Sequence, residues 1–119
     1  MSTIYSQFHP ALKKSLAQLY NRVNQEIYGV GVKKQRIECL DDRVMIFAQH
    51  KRVQALQMLS RNFQTLTISV DSALIVEFKS LLKGYIEDAL LIKVKTILKD
   101  YDPVTEEACT IIYFEDLLN

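Results

Sequence analysis

At 119 residues the chain can hold one hydrophobic core, and 49% hydrophobic residues with only three Gly and two Pro suffice to fill it, which argues against disorder. No apolar run approaches the ~20 residues of a membrane span, and Met1 to Pro10 lack the charged and apolar regions of a secretory leader. With 15 Lys+Arg against 14 Asp+Glu the formal net charge is +1, so the expectation is a single domain over residues 1–119, soluble and cytoplasmic.

A first helix is expected to open at Pro10, whose missing N–H suits the first helical position. Leu12, Leu16, Leu19, Tyr20, Val23 and Ile27 recur at spacings of three and four and form its apolar stripe. Gly29 ends it, as a residue free to take positive φ. Tyr28-Gly29-Val30-Gly31 then reads as a turn. Its glycines have neither the GxGxxG nor the GxxxxGK[ST] spacing, and they follow a helix where a nucleotide loop follows a strand.

Arg36–Leu40 and Val44–Gln49 read as an antiparallel hairpin with Asp41-Asp42 at its tip, since aspartate accepts turn geometry. The second strand is apolar on both faces, which predicts a central, covered position. Lys51–Asn62 is expected to be a second helix. Gln64–Val70 is rich in Thr, Ile and Val and favours an extended stretch, either a linker or a short edge strand. Asp71 is a suitable N-cap for a third helix with Leu74, Phe78, Leu81, Leu82 and Tyr85 buried, fraying near Gly84–Asp88.

The closing hairpin sets Ile92, Val94 and Leu98 on one face and Lys93, Lys95 and Lys99 on the other. Its turn runs Asp100-Tyr101-Asp102-Pro103-Val104-Thr105, where the proline interrupts no ladder. The return strand carries Thr110, Ile112 and Phe114 on one side and Cys109, Ile111 and Tyr113 on the other. Helix, then two β-runs across an aspartate-bearing turn, thus occurs twice, over about 10–49 and 71–114. The fold class that follows is α+β, in the order α-β-β-α-α-β-β. Two β-hairpins form a four-stranded, mostly antiparallel sheet with about three helices on one face.

Few residues are left over for chemistry. Asp41/Asp42 and Asp100/Asp102 are loop carboxylates but lack the regular offsets of a calcium loop, so turn geometry is the preferred reading over metal. His9 and His50 stand at element boundaries, without a triad-like neighbour, and are read as capping or surface residues. Cys39 and Cys109 lie within strands without CxxC partners and read as small core hydrophobes, a disulfide between them remaining open. Lys33, Lys34, Arg36, Lys51, Arg52 and the lysines of the closing hairpin are basic, but the aromatics that single-strand binding needs fall on core stripes. Residues 1–62 hold ten Lys+Arg against four Asp+Glu, and residues 63–119 five against ten. The preferred reading is that folding intermixes these charges; the alternative is a field that steers a partner or favours self-association.

Tyr28-Gly29-Val30-Gly31, followed by Asp41-Asp42 and an apolar strand, resembles the opening of the small bacterial MpsC/YbcI-like domain, where a Tyr-Gly-x-Gly-Pro turn precedes a hairpin with an Asp-Asp tip. The second hairpin is similar too, with Asp100, Asp102, Thr105 and a strand ending in Phe114. The resemblance covers about residues 10–116. Val32 stands in place of the usual proline, and His50-Lys51-Arg52-Val53 replaces a Leu-Thr-Pro stretch.

That family is linked with a bacterial sodium-translocating, membrane-potential-generating system connected to bicarbonate uptake. The resemblance implies a non-enzymatic accessory or regulatory subunit without cofactor, metal or membrane span. Such a subunit docks on a membrane transporter at the inner face of the membrane. Tyr28, Gly29, Gly31, Asp41, Asp42, Asp100, Asp102 and Thr105 are then family-motif turns and candidate partner contacts. The charge split and the two-sided apolar strand point to a homo-oligomer, a dimer in the simplest case. The alternatives are a small nucleic-acid-binding regulatory domain, and an enzyme or ligand-binding domain using Asp or His groups from separate elements.

Overall fold

The computed structural model describes residues 3–116, with side chains from Pro10 onward, so the side chain of His9 lies outside the described residues. The first helix, α1 (Thr3–Tyr28), begins before Pro10 and contains it. The ring's fixed φ is itself helical, and its cost is one hydrogen bond missing from the preceding turn. Leu12, Leu16, Tyr20 and Val23 are buried, and Leu19 and Ile27 pack at the margin. Gly29, at φ 78°, ends the helix as expected and donates its N–H to the Gln25 carbonyl at 2.9 Å.

The chain continues through β1 (Lys34–Leu40), β2 (Arg43–Gln49), α2 (Gln54–Leu59), α3 (Gln64–Leu90), β3 (Val94–Asp102) and β4 (Glu107–Phe114). The four strands form one antiparallel sheet in the order β1-β2-β4-β3. This is the α+β arrangement that the hydrophobic periods predict. Val44, Ile46, Ala48, Ala108, Ile112 and Phe114 point to the helices and interdigitate with Leu16, Tyr20, Phe78, Leu82 and Ile86. Each fully buried aliphatic or aromatic side chain contributes about 1.5–3 kcal/mol.

Several expectations are corrected, the first over α2 and α3. Gln64–Val70 is the first part of α3, not an extended stretch, and α2 is shorter than 51–62. Phe63, at φ −131° and ψ 48°, ends the connection between them, and Thr67 is buried and bonds the Gln64 carbonyl through its hydroxyl at 2.9 Å. Packing and that bond override the weak β-preference of the segment. Asp71 therefore caps nothing and lies within the helix, and Gly84 is helical as well.

The second correction concerns β3. An irregularity between Val94 and Thr96 inserts an extra residue opposite β4. Beyond it the alternation is reversed: Ile97 and Tyr101 are buried, while Leu98 is 51% exposed. Lys99 turns inward with them, so the continuous lysine face over residues 93–99 does not form. Third, β2 is central but covered on one face only. Phe47 is 36% exposed on the other, beside half-buried Met45 and Ile111. Cys39 lies on the helix side, Cys109 on the open side, and both are free thiols.

The turn after α1 is held by two asparagines of that helix. Asn21 accepts the Val32 N–H through Oδ1 at 2.9 Å, and Asn24 donates through Nδ2 to the Val30 carbonyl at 2.9 Å. A Cβ on Gly31 would stand 2.7 Å from Asn21 Oδ1. Gly31→Ala is therefore expected to displace Asn21 and lower stability by about 1–2 kcal/mol, the scale of one lost part-buried hydrogen bond. Urea unfolding would measure it. Asn21→Ala added to Gly31→Ala should cost clearly less than the two singly, because both break the same contact.

Candidate functional site

Three connections converge at one end of the sheet: the α1–β1 turn, the β2–α2 junction and the β3–β4 turn. The Lys33 N–H donates to the Gln49 carbonyl at 2.7 Å and the His50 N–H to the Glu106 carbonyl at 3.1 Å. Lys33 Nζ reaches Glu106 Oε1 at 3.1 Å. That ammonium, followed by the Arg52 backbone N–H, holds the Glu106 carboxyl below its usual range.

Behind these connections lies a buried aromatic stack. His50 is fully buried, with its ring 4.3 Å from Tyr101 at an interplanar angle of 10° and 4.5 Å from Tyr28. Tyr101 donates its hydroxyl to the His50 carbonyl at 3.0 Å. Nδ1 of His50 lies 3.1 Å from the Lys51 carbonyl, which fits the neutral tautomer with its proton on Nδ1. Nε2 is buried without a partner, so a second proton there would find no acceptor. Burial accordingly lowers the His50 pKa to about 4, against the weaker opposing effect of the Lys51 carbonyl. Burial also raises Tyr28 to about 12 and pushes Tyr101 up.

Lys99 extends the cluster inward. Its ammonium lies 3.6 Å from the Phe78 ring centroid and 5.0 Å from that of Tyr20, and donates to the Tyr20 hydroxyl at 2.9 Å. That hydroxyl lies 3.0 Å from Thr110 Oγ1. Burial lowers the Lys99 pKa to about 7. The ring faces act in the opposite sense by attracting the cation. Tyr20 and His50 have no exposed surface. The cluster is interior, suited to fixing how helices and sheet meet.

The polar groove at this end has a volume of about 300 Å³ and is lined by Arg52, Gln57, Gln64, Thr67, Asp71 and Pro103 among others. On its wall Arg52, 7% exposed, donates from Nη2 to Asp71 Oδ2 at 2.6 Å. This ion pair ties the β2–α2 junction to α3, and Arg52 Nε is buried without a partner.

The sequence-predicted residues divide between the two ends of the sheet. Tyr28, Gly29, Gly31, Asp102 and Thr105 gather at the convergent end. Asp102 Oδ1 accepts the N–H groups of Val104 (2.8 Å) and Thr105 (3.3 Å), and Thr105 Oγ1 accepts the Glu107 N–H at 3.4 Å, all within the turn. Asp100 is not a turn residue but a strand residue on the open face, its Oδ1 accepting the Tyr101 N–H.

Asp41 and Asp42 sit at the opposite end. Asp41 takes the left-handed conformation at φ 53°. Asp42 accepts the Phe114 N–H through its carbonyl at 2.7 Å and pairs with Arg43 at 3.0 Å. Among the described residues no three His, Cys, Asp or Glu side chains come together as a metal site.

Sequence reasoning read His50 as a capping or surface residue, and missed the inward turn of Lys99 and the Arg52–Asp71 pair on the groove wall. The available signal was Ile97 and Tyr101, whose period contradicts that of Val94 and Leu98 and marks a bulge.

The profile of one protein family, described as Na+-translocating membrane potential-generating system (MpsC), matches residues 10–116. No curated protein and no solved structure matches the chain significantly. Among the described residues no helix is long and apolar enough to cross a membrane.

Two predictions follow from the cluster. Unfolded Lys99 holds its proton to about 10.5 while the folded one releases it near 7, so the unfolded chain binds more protons between these values. Stability should therefore rise from pH 7 toward 10, and Lys99→Met should remove that slope in thermal melts. For His50, with 6.5 unfolded and about 4 folded, stability should fall as pH drops from 6.5 toward 4. His50→Phe should flatten the upper part of that loss.

Asp71→Ala strands a buried guanidinium and is expected to cost about 3 kcal/mol in urea unfolding, whereas removing an exposed pair costs under about 1 kcal/mol. Glu26→Ala, which breaks the exposed Arg22–Glu26 pair, provides that comparison.

Proposed function

The chain belongs to the MpsC family, and from that premise we propose that it is a non-enzymatic accessory subunit of a bacterial ion-translocating system. It acts from the cytoplasmic side as a homodimer held peripherally on a membrane-embedded partner. The observation that carries this reading is the exposure of large apolar side chains along α2 and the first half of α3. Met58, Phe63, Leu66, Ile68 and Val76 are all more than half exposed there, on a helix whose buried residues are only Thr67, Phe78, Leu82 and Ile86. Exposed apolar side chains of this kind suit contact with another protein.

The motif turns, on this reading, shape the domain and position those side chains. Asn21 and Asn24 use the Gly29–Gly31 turn to set the angle between α1 and the sheet. Asp41-Asp42 closes the opposite end against β4. Four of the eight basic residues weighed for nucleic acid are engaged: Lys33 with Glu106, Arg36 with Glu38, Arg52 with Asp71, and Lys99 in the core.

Affinity purification of the tagged full chain from its native cells in mild detergent tests the proposal. A polytopic ion-transport subunit is expected to co-purify, and Ile68→Glu, with a thermal melt confirming that the variant folds, should reduce its recovery at least about tenfold. Recovery of only the chain itself, or of nucleic-acid machinery, would overturn the reading.

A further inference from the structure

The open face of the sheet is apolar in the middle and oppositely charged at two corners. Its cross-strand rows read Lys34–Gln49–Glu107–Asp102, then Arg36–Phe47–Cys109–Asp100, then Glu38–Met45–Ile111–Leu98. Sheets with one solvated face ordinarily place polar residues there on every strand. Here both central strands place Met45, Phe47, Ile111 and Tyr113 on it, with Leu40 and Leu98 exposed at the sides. The basic pair, Lys34 and Arg36, belongs to edge strand β1. The acidic pair, Asp100 and Asp102, belongs to the opposite edge strand β3, at the same end of the sheet.

We propose that this face is the homodimer interface: a second copy of the chain packs sheet against sheet about a two-fold axis parallel to the strands. The inference rests on the homodimer reading above and assigns its surface. Rotation about such an axis exchanges left and right while keeping each row at its own height. Each β1 then lies over the partner's β3, and each β2 over the partner's β4. Arg36 meets Asp100 of the partner subunit, Lys34 meets Asp102 of the partner subunit, and Phe47 and Met45 cover the central apolar band. An axis perpendicular to the strands instead sets β1 over β1 with the rows reversed, so the charged end of each sheet lies over the opposite end of its partner and Lys34, Asp100 and Asp102 meet no opposite charge. The charge pattern therefore selects one of the two face-to-face arrangements, and that arrangement is self-complementary.

Aligned packing of two sheets at about 10 Å and near −30° is an ordinary geometry for this contact. Arg36 is 5.0 Å from the Phe47 ring centroid and 3.4 Å from Glu38, an exposed pair that contributes little and can be exchanged for one across the interface.

Sedimentation equilibrium on the full chain tests this with Arg36→Asp and Asp100→Arg, each an exposed residue, with thermal melts confirming that both variants fold. The wild-type chain is expected to dimerise. Each variant alone should dimerise at least about tenfold more weakly, about 1.4 kcal/mol, because both of its corner pairs become like-charged. An equimolar mixture should recover a dimer, since in the mixed pair both corners are again opposite. Singly weakened variants that fail to recover on mixing would overturn the pairing. A wild-type dimer that both variants leave intact would place the contact on another face and overturn this inference while the homodimer reading stands. A wild-type chain that stays monomeric would overturn both.

Discussion

The bulge between Val94 and Thr96 fixes the phase of β3 for the rest of its length, and both faces of the sheet depend on that phase. With the extra residue, Ile97, Lys99 and Tyr101 enter the core and Leu98, Asp100 and Asp102 stay outside. Without it, Thr96, Leu98, Asp100 and Asp102 would point inward and bury two carboxylates among aromatic rings. The observed phase buries one amine, which can shed its proton, accept the company of ring faces and bond a hydroxyl. Burying two carboxylates in the same place would need partners that the core does not have. One inserted residue thus removes the larger electrostatic cost by accepting a smaller one.

The same phase brings Tyr101 beneath His50, and so joins β3 to the junction where β2 leaves the sheet. Tyr28 arrives from the end of α1 and completes the stack. Tyr20, Lys99 and Thr110 carry polar contacts deeper, between α1, β3 and β4. Arg52 and Asp71 fasten α3 on the outer side. Stability at this end therefore rests on polar groups sealed between layers, each partnered except Asn24 Oδ1, Gln35 Oε1, His50 Nε2 and Arg52 Nε. The opposite end is tied more simply, by the Asp42 carbonyl and the backbone of β4.

What the sequence made legible was local. The stripe of α1, its stop at Gly29 and the tight hairpin at Asp41-Asp42 follow from residue period and from the conformations that glycine and aspartate tolerate. The order of elements followed from these, and the family motif lay in the same turns. What stayed hidden depends on distant neighbours. Gln64–Val70 has a strand-like composition, and only Thr67, buried and bonded back to Gln64, shows why it is helical. His50 reads as a boundary residue until Tyr28 and Tyr101 close on it from positions 22 and 51 residues away in the chain. Lys99 reads as an outward strand residue because a bulge leaves only a broken alternation in the sequence. The charge split was visible in the composition, and the fold answers it both ways. Lys33–Glu106 and Arg52–Asp71 join the two halves, while the open face keeps Lys34 and Arg36 apart from Asp100 and Asp102.

The two proposed contact surfaces lie on different elements, one on the open face of the sheet and the other on α2 and α3. Pairing through the sheets gives four layers in the order helix, sheet, sheet, helix. The proposed dimer would use residues of the sheet alone, and would leave two equivalent sets of exposed α2 and α3 side chains. Such a body links two copies of a membrane partner more naturally than it caps one, because a single partner site can reach only one set at a time. Linking also gains from effective concentration, since one engaged set holds the other near a second site. On the proposed reading, an accessory subunit built this way would set the spacing of its partners through rigid layers.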